Sequence, residues 1–338
     1  MPFSSIWAGL LGIALAVSAC TADSGAAADV DATSSVTMSD AASDRVPASH
    51  PPVRRAMADM RSLPTSPMEL PDAVPPAYPV QLSPTAVAVA AARLRHAMAA
   101  DVRRLVPLSP AQIADEGQRA EALLKATDQT VVTPQLVVVV DRNPARQLLS
   151  LMLAQPPGAG AWALIGAAHV STGQAGRKDH YITPIGVFPH TDAILDFRAQ
   201  GTFNENHIRG LGVAGMRVWD FGWQWALKGW HGNGSGGDIR LMMHATDPAV
   251  LERRLGRPAS EGCVRISDSM NRFLDRHGVL DADYDRAATE DPAFRALLLP
   301  DRVPDPLAGR LLIVIDTRDP PDTPPTAASR PADWPSPG

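Results

Sequence analysis

The chain is poor in cysteine, with two in 338 residues, Cys20 and Cys263. That count excludes a disulfide framework, and the absence of any C-x-x-C or H-x-x-x-H spacing excludes the usual structural zinc site. A metal held by His244 and Cys263 needs two further ligands that no spacing supplies, so the sequence implies no metal, and no cofactor is implied either. Basic charge is in no excess: 31 Lys and Arg stand against 36 Asp and Glu, a formal net charge of -5. A nucleic-acid partner recognised through a basic surface is excluded on that ground. Long apolar runs are also missing. The stretch A-G-L-L-G-I-A-L-A-V-S-A at residues 8–19 is too short to span a bilayer comfortably and fits a signal peptide.

Proline is plentiful, at 32 residues, and gathers towards the two ends of the chain. Residues 21–82, rich in proline, alanine and acidic side chains, read as a disordered tether, and residues 319–338 as a disordered proline-rich tail. V-S-A-C at Val17–Cys20 resembles a bacterial lipobox, which implies a leader over residues 1–20 and lipidation of Cys20. Thr21 after that cysteine resembles lipoproteins of the Gram-negative outer membrane. The leader has no Lys or Arg before Arg45, a departure from the usual pattern. The expected location is the periplasmic side of the cell envelope, with an N-terminal lipid anchor on the membrane. An unpaired cysteine kept in such a compartment, as Cys263 is, is more often reactive than structural.

Between the tether and the tail, residues 83–130 read as a helical segment. Leu94, Met98, Val102 and Leu105 form one stripe after Pro84, and a second helix starts at Ser109 and Pro110. Residues 131–318 form the main domain. Gln135 to Val140 is a strand of the fully buried type, Gln147 to Leu153 its hairpin partner, and Leu311 to Asp316 a closing strand. The fold class is α+β, mainly β, with short helices. Four of the seven tryptophans lie between Trp219 and Trp230, ahead of H-G-N-G-S-G-G at His231–Gly237. That region is either a substrate lid or a packed aromatic cluster with an ordinary loop. Residues 279–309 match nothing recognisable.

The chemistry concentrates in 238–274. Ile239, Leu241 and Met243 alternate with Arg240, Met242 and His244, the period of a strand with one face in a core. Thr246, Asp247 and Pro248 start one or two helical turns that Gly256 ends. Val264 and Ile266 then share one face, leaving Cys263 and Arg265 on the other. A thiol is mostly protonated at neutral pH, so a cysteine nucleophile needs a base or an electropositive setting, and His244 is the candidate base. Gly262 leaves room for a carbonyl, and the backbone N–H groups near Cys263 are candidate oxyanion donors. His169, His180, His190, His207 and His231 read as structural or solvent-facing.

On these residues the chain resembles the L,D-transpeptidase catalytic domain family, also called YkuD-like. Its signature is a histidine followed by S/T-H-G-C and then Arg or Asn, matched here by His244 and by Ser260, Gly262, Cys263 and Arg265. Glu261 stands where the family usually has His, and Ala245 where Gly or Ser is usual. S-T-G at Ser171–Gly173 and T-P-I-G-V-F at Thr183–Phe188 extend the resemblance over residues 133 to 277. It implies a β-sandwich-type catalytic domain in which Cys263 is nucleophile and His244 base and acid, with Ala245, Ser260, Glu261 and Gly262 shaping the site. Arg265, and less directly Arg240, would bind a substrate carboxylate. The implied reaction joins peptidoglycan stem peptides, or attaches a wall-linked protein to them, through a cysteine thioester. The alternatives are hydrolysis of the same bonds, as a carboxypeptidase or amidase, and a silent peptidoglycan-anchoring lipoprotein.

Overall fold

Four consecutive valines ask for burial on both faces of a strand, and the computed structural model of the chain, which describes residues 81–320, shows how that is met. The leader with Cys20, the tether up to residue 80 and the tail beyond residue 320 lie outside the described residues. Strand β1 is Gln135–Asp141, and β2 Leu148–Ala154 pairs with it antiparallel through the turn at Asn143. β3 is Ala163–His169, β4 Gly186–Pro189, β5 Phe197–Arg198, β6 Arg217–Leu227, β7 Gly236–Ala245, β8 Val264–Ile266 and β9 Leu311–Ile315. They form a five-stranded sheet in the order β3-β2-β1-β9-β4 and a four-stranded sheet in the order β5-β6-β7-β8. The pairs β1–β9 and β7–β8 are parallel, the rest antiparallel.

The five-stranded sheet is covered twice. Leu136, Val138, Val140, Leu149, Leu151 and Leu312 share one core with Trp219, Leu241, Met243, Val264 and Ile266 of the other sheet. Val137, Val139, Met152 and Ile313 pack on the opposite face with Trp162 and α2, Pro110–Ala126. Leu94 and Met98 of α1, Pro84–Asp101, enter the first core instead. The two helices therefore pack into different cores, one on each face of the five-stranded sheet. Both start as the sequence indicates. Ser83 accepts from the Ala86 N–H, and Ser109 and Gln112 complete a reciprocal capping box.

Three shorter helices follow: α3, Asp268–Arg276, capped by Ser267; α4, Ala282–Ala287; and α5, Pro292–Leu297. The fold is a mixed α+β arrangement of two sheets and short helices. Among the described residues no helix is long and apolar enough to cross a membrane.

Candidate active site

Because β7 and β8 are parallel neighbours, His244 lies one strand away from Cys263, the residue that precedes β8. Met243 pairs with Val264 and His244 with Arg265, and paired residues in a sheet share a face. Val264 and Ile266 point into the core with Met243. The opposite face therefore carries Arg240, Met242 and His244 from β7 and Cys263 and Arg265 from the β8 side, as alternation alone implies. The Cys263 Sγ lies 3.7 Å from the Arg240 carbonyl oxygen. The crossover between the strands is tighter than expected, one 3-10 turn at Glu252–Arg254. Asp247 holds its start by accepting the Ala249 and Arg209 N–H groups.

His244 is buried, with Nδ1 2.7 Å from the Ala245 carbonyl oxygen. A carbonyl only accepts, so Nδ1 carries the proton and Nε2 is the basic nitrogen. Burial, opposed by that hydrogen bond and assisted by the Arg265 charge, lowers the His244 pKa to about 4. Burial likewise pushes the Cys263 thiol up. The Met242 backbone and Arg265 pull it down, while Glu261 and Asp220 add to the rise. Both shifts favour the uncharged forms, a neutral thiol and a neutral imidazole. Alkylation of Cys263 should accordingly keep accelerating as pH rises beyond the usual thiol range near about 8.5. A plateau near neutrality in a stopped-flow alkylation series would contradict this.

The loop before Cys263 is clamped from three sides. Ser260, fully buried, donates its hydroxyl to the Cys263 carbonyl at 2.6 Å and accepts the Gly262 N–H at 3.1 Å. That second bond occupies the Gly262 N–H, one of the candidate oxyanion donors. The Ser260 carbonyl accepts the Gln174 N–H at 3.0 Å and His180 Nδ1 at 2.8 Å. Thr183 donates to the Gly262 carbonyl at 2.7 Å and accepts the Gly173 N–H at 2.9 Å. The S-T-G and T-P segments are thus the bed of the loop that leads to Cys263. His180 and Thr183, which sequence reasoning left outside the site, hold it in place. Nothing in the sequence indicated that contact, since the segments are about 80 residues apart.

Gly262 itself sits at φ +134°, and a Cβ there would stand 2.8 Å from Ile239 Cδ1. Gly262→Ala should cost about 1–3 kcal/mol and displace Cys263. Chemical denaturation and a slower alkylation rate would both report it, and an unchanged stability would refute the strain argument. Glu261 is exposed, and its backbone carbonyl accepts the Tyr181 N–H at 3.1 Å.

The two arginines differ. Arg240 is committed through Nε to the buried Asp220 carboxylate at 2.6 Å. Arg265 donates one amino group to the Ala259 carbonyl at 2.9 Å, and its buried Nε has no hydrogen-bond partner. Burial lowers its pKa, with Glu261 and Cys263 opposing. Arg265 is therefore the better placed of the two to receive a carboxylate. The tryptophan-rich region is a hairpin of β6 and β7 joined by the eight residues 228–235. Lys228 N–H bonds to the Ser235 carbonyl across its mouth, and Gly236 and Gly237 already belong to β7. Among the described residues no group of three or more His, Cys, Asp or Glu is placed to hold a metal ion. No protein-family model matches the chain, and a search of the curated proteins returns no match.

Proposed function

We propose that the chain is a cysteine acyltransferase of the L,D-transpeptidase, YkuD-like type, with the two sheets forming that family's sandwich-type catalytic domain. One observation carries the reading: a histidine whose Nδ1 is fixed by a backbone carbonyl shares a sheet face with the single described cysteine, which ends a clamped loop. In this reading Nε2 of His244 takes the thiol proton as Sγ attacks the carbonyl of the diamino acid at the third position of a stem tetrapeptide. The imidazolium returns that proton to the departing D-Ala amine. An acceptor amine, from a second stem or a wall-linked protein, then attacks the thioester. It passes its proton to His244 and leaves an amide and a free thiol. Arg265 receives a substrate carboxylate. The lipobox at Cys20 supports a protein held by a lipid anchor on the periplasmic side of the envelope, at the outer membrane.

The test is mass spectrometry of the chain incubated with disaccharide-tetrapeptide, beside Cys263→Ala. A dimer formed with loss of D-Ala, absent in the variant, supports transpeptidation. Tripeptide without dimer makes water the acceptor and the enzyme a carboxypeptidase. Unchanged substrate, with no acyl-enzyme on Cys263, sinks the catalytic reading in favour of a silent anchor.

A further inference from the structure

Strict alternation along β6 would put Trp219, Phe221, Trp223 and Trp225 on one face. Trp219 and Phe221 do face the core, at 1% and 4% exposure. The ladder with β7 then slips between Asp220 and Trp223, where Gly222 adopts φ +74°. A bulge of this kind turns the side chains beyond it to the opposite face. Trp223 accordingly pairs with Arg240, on the face that bears Met242, His244, Cys263 and Arg265, and stands 50% exposed. The bulge is locked in place by Asp220, which accepts the Gly222 N–H at 2.9 Å and the Arg240 Nε–H at 2.6 Å. A large indole is therefore held in solvent on the nucleophile's side of the sheet, beside a guanidinium whose terminal N–H groups can serve hydroxyls.

We propose that Trp223 stacks against a pyranose ring, so that the donor substrate is a stem peptide still attached to its sugar and not the free peptide. The inference rests on the acyl-transfer reading above. Trp223 lies on the strand beyond β7 from Cys263 and about two residues along. Two strand spacings and that offset separate the two Cα atoms by about 12 Å. A stem joins its sugar about three residues before the attacked carbonyl, a span of about 10–12 Å when extended. The apolar C–H face of a pyranose presents slight positive charge to the negative face of the indole, and Arg240 donates to the ring hydroxyls.

Calorimetry on full-length Cys263→Ala, which binds without turnover, tests this with disaccharide-tetrapeptide, free tetrapeptide and disaccharide alone. The glycan-bearing ligand should bind about tenfold tighter than the free tetrapeptide, the size of one good aromatic contact. Adding Trp223→Ala should bring that ratio close to one, and Trp223→Phe should keep part of it. A ratio near one at the outset, or one that Trp223→Ala leaves untouched, overturns the proposal. If the unmodified chain makes no product while the Trp223-dependent ratio persists, the acyl-transfer reading falls and the sugar site stands. Product formation without the ratio has the opposite meaning.

Discussion

Replacing His244 with alanine should lower kcat/KM for acyl-enzyme formation at neutral pH by about 10³-fold, within the range of a lost general base. The reason lies in the resting protonation state. Burial raises the Cys263 thiol pKa, so in the proposed reaction attack relies on Nε2 of His244 to take the proton. The same geometry sets the pH profile. The imidazole accepts a proton only while neutral, and its pKa is lowered to about 4. The acid limb of kcat/KM, which reports the free enzyme, should therefore fall near pH 4 and not near about 6.5, where an unperturbed histidine titrates. His244→Gln, whose amide can still donate to the Ala245 carbonyl, separates folding from chemistry. It should keep the loop structure and yet lose both the rate and the limb. A limb near 6.5 in the unmodified enzyme would falsify the buried neutral pair.

The side of the sheet that carries His244 and Arg265 was legible because strand alternation is local. Arg240, Met242 and His244 take one face by parity alone, and Val264 and Ile266 assign Cys263 and Arg265 to theirs. Parity is also why Trp223 was not legible, since a single glycine-centred bulge reverses it for everything downstream. The depth of His244 was hidden for another reason. Leu211 and Val213, in the segment before β6, pack with Ala245, the chain neighbour of His244, and with its cross-strand partner Val218. A Cβ on Gly212 would lie 2.8 Å from the Ala245 Cβ. Contacts of that kind join residues more than 30 positions apart and leave no period in the sequence. The helical segment was legible as two capped helices. Its placement was not, because a stripe of apolar residues says that a helix is buried without saying on which sheet face.

The segment at 279–309, which matched nothing in the sequence, gains its meaning from one buried arginine. Arg217→Met should destabilise the fold by about 3–5 kcal/mol, the usual cost of removing one partner from a buried ion pair. Arg217 is fully buried at the start of β6, with Nε 2.8 Å from Asp196, NH2 3.3 Å from Asp281 and NH1 3.6 Å from Asp275. Burial opposes its charge, but the three carboxylates outweigh burial and hold it protonated. The same carboxylates are tied outward. Asp196 also meets His190 at 2.8 Å, Asp275 meets Arg198 at 2.8 Å, and Asp281 meets Arg302 at 3.1 Å. Burial alone would raise the Asp196 pKa, yet His190 and Arg217 beside it and the Asp220 N–H hold it below the usual range. A neutral side chain at 217 leaves three buried carboxylates, Asp196, Asp275 and Asp281, short of their central cation. Urea denaturation of Arg217→Met and Arg217→Lys separates charge from geometry. Lysine restores the charge without the planar fork and should recover only part of the loss. A change below about 1 kcal/mol in the methionine variant would mean that apolar packing at 217 replaces the network, as it does in some proteins with buried ion pairs.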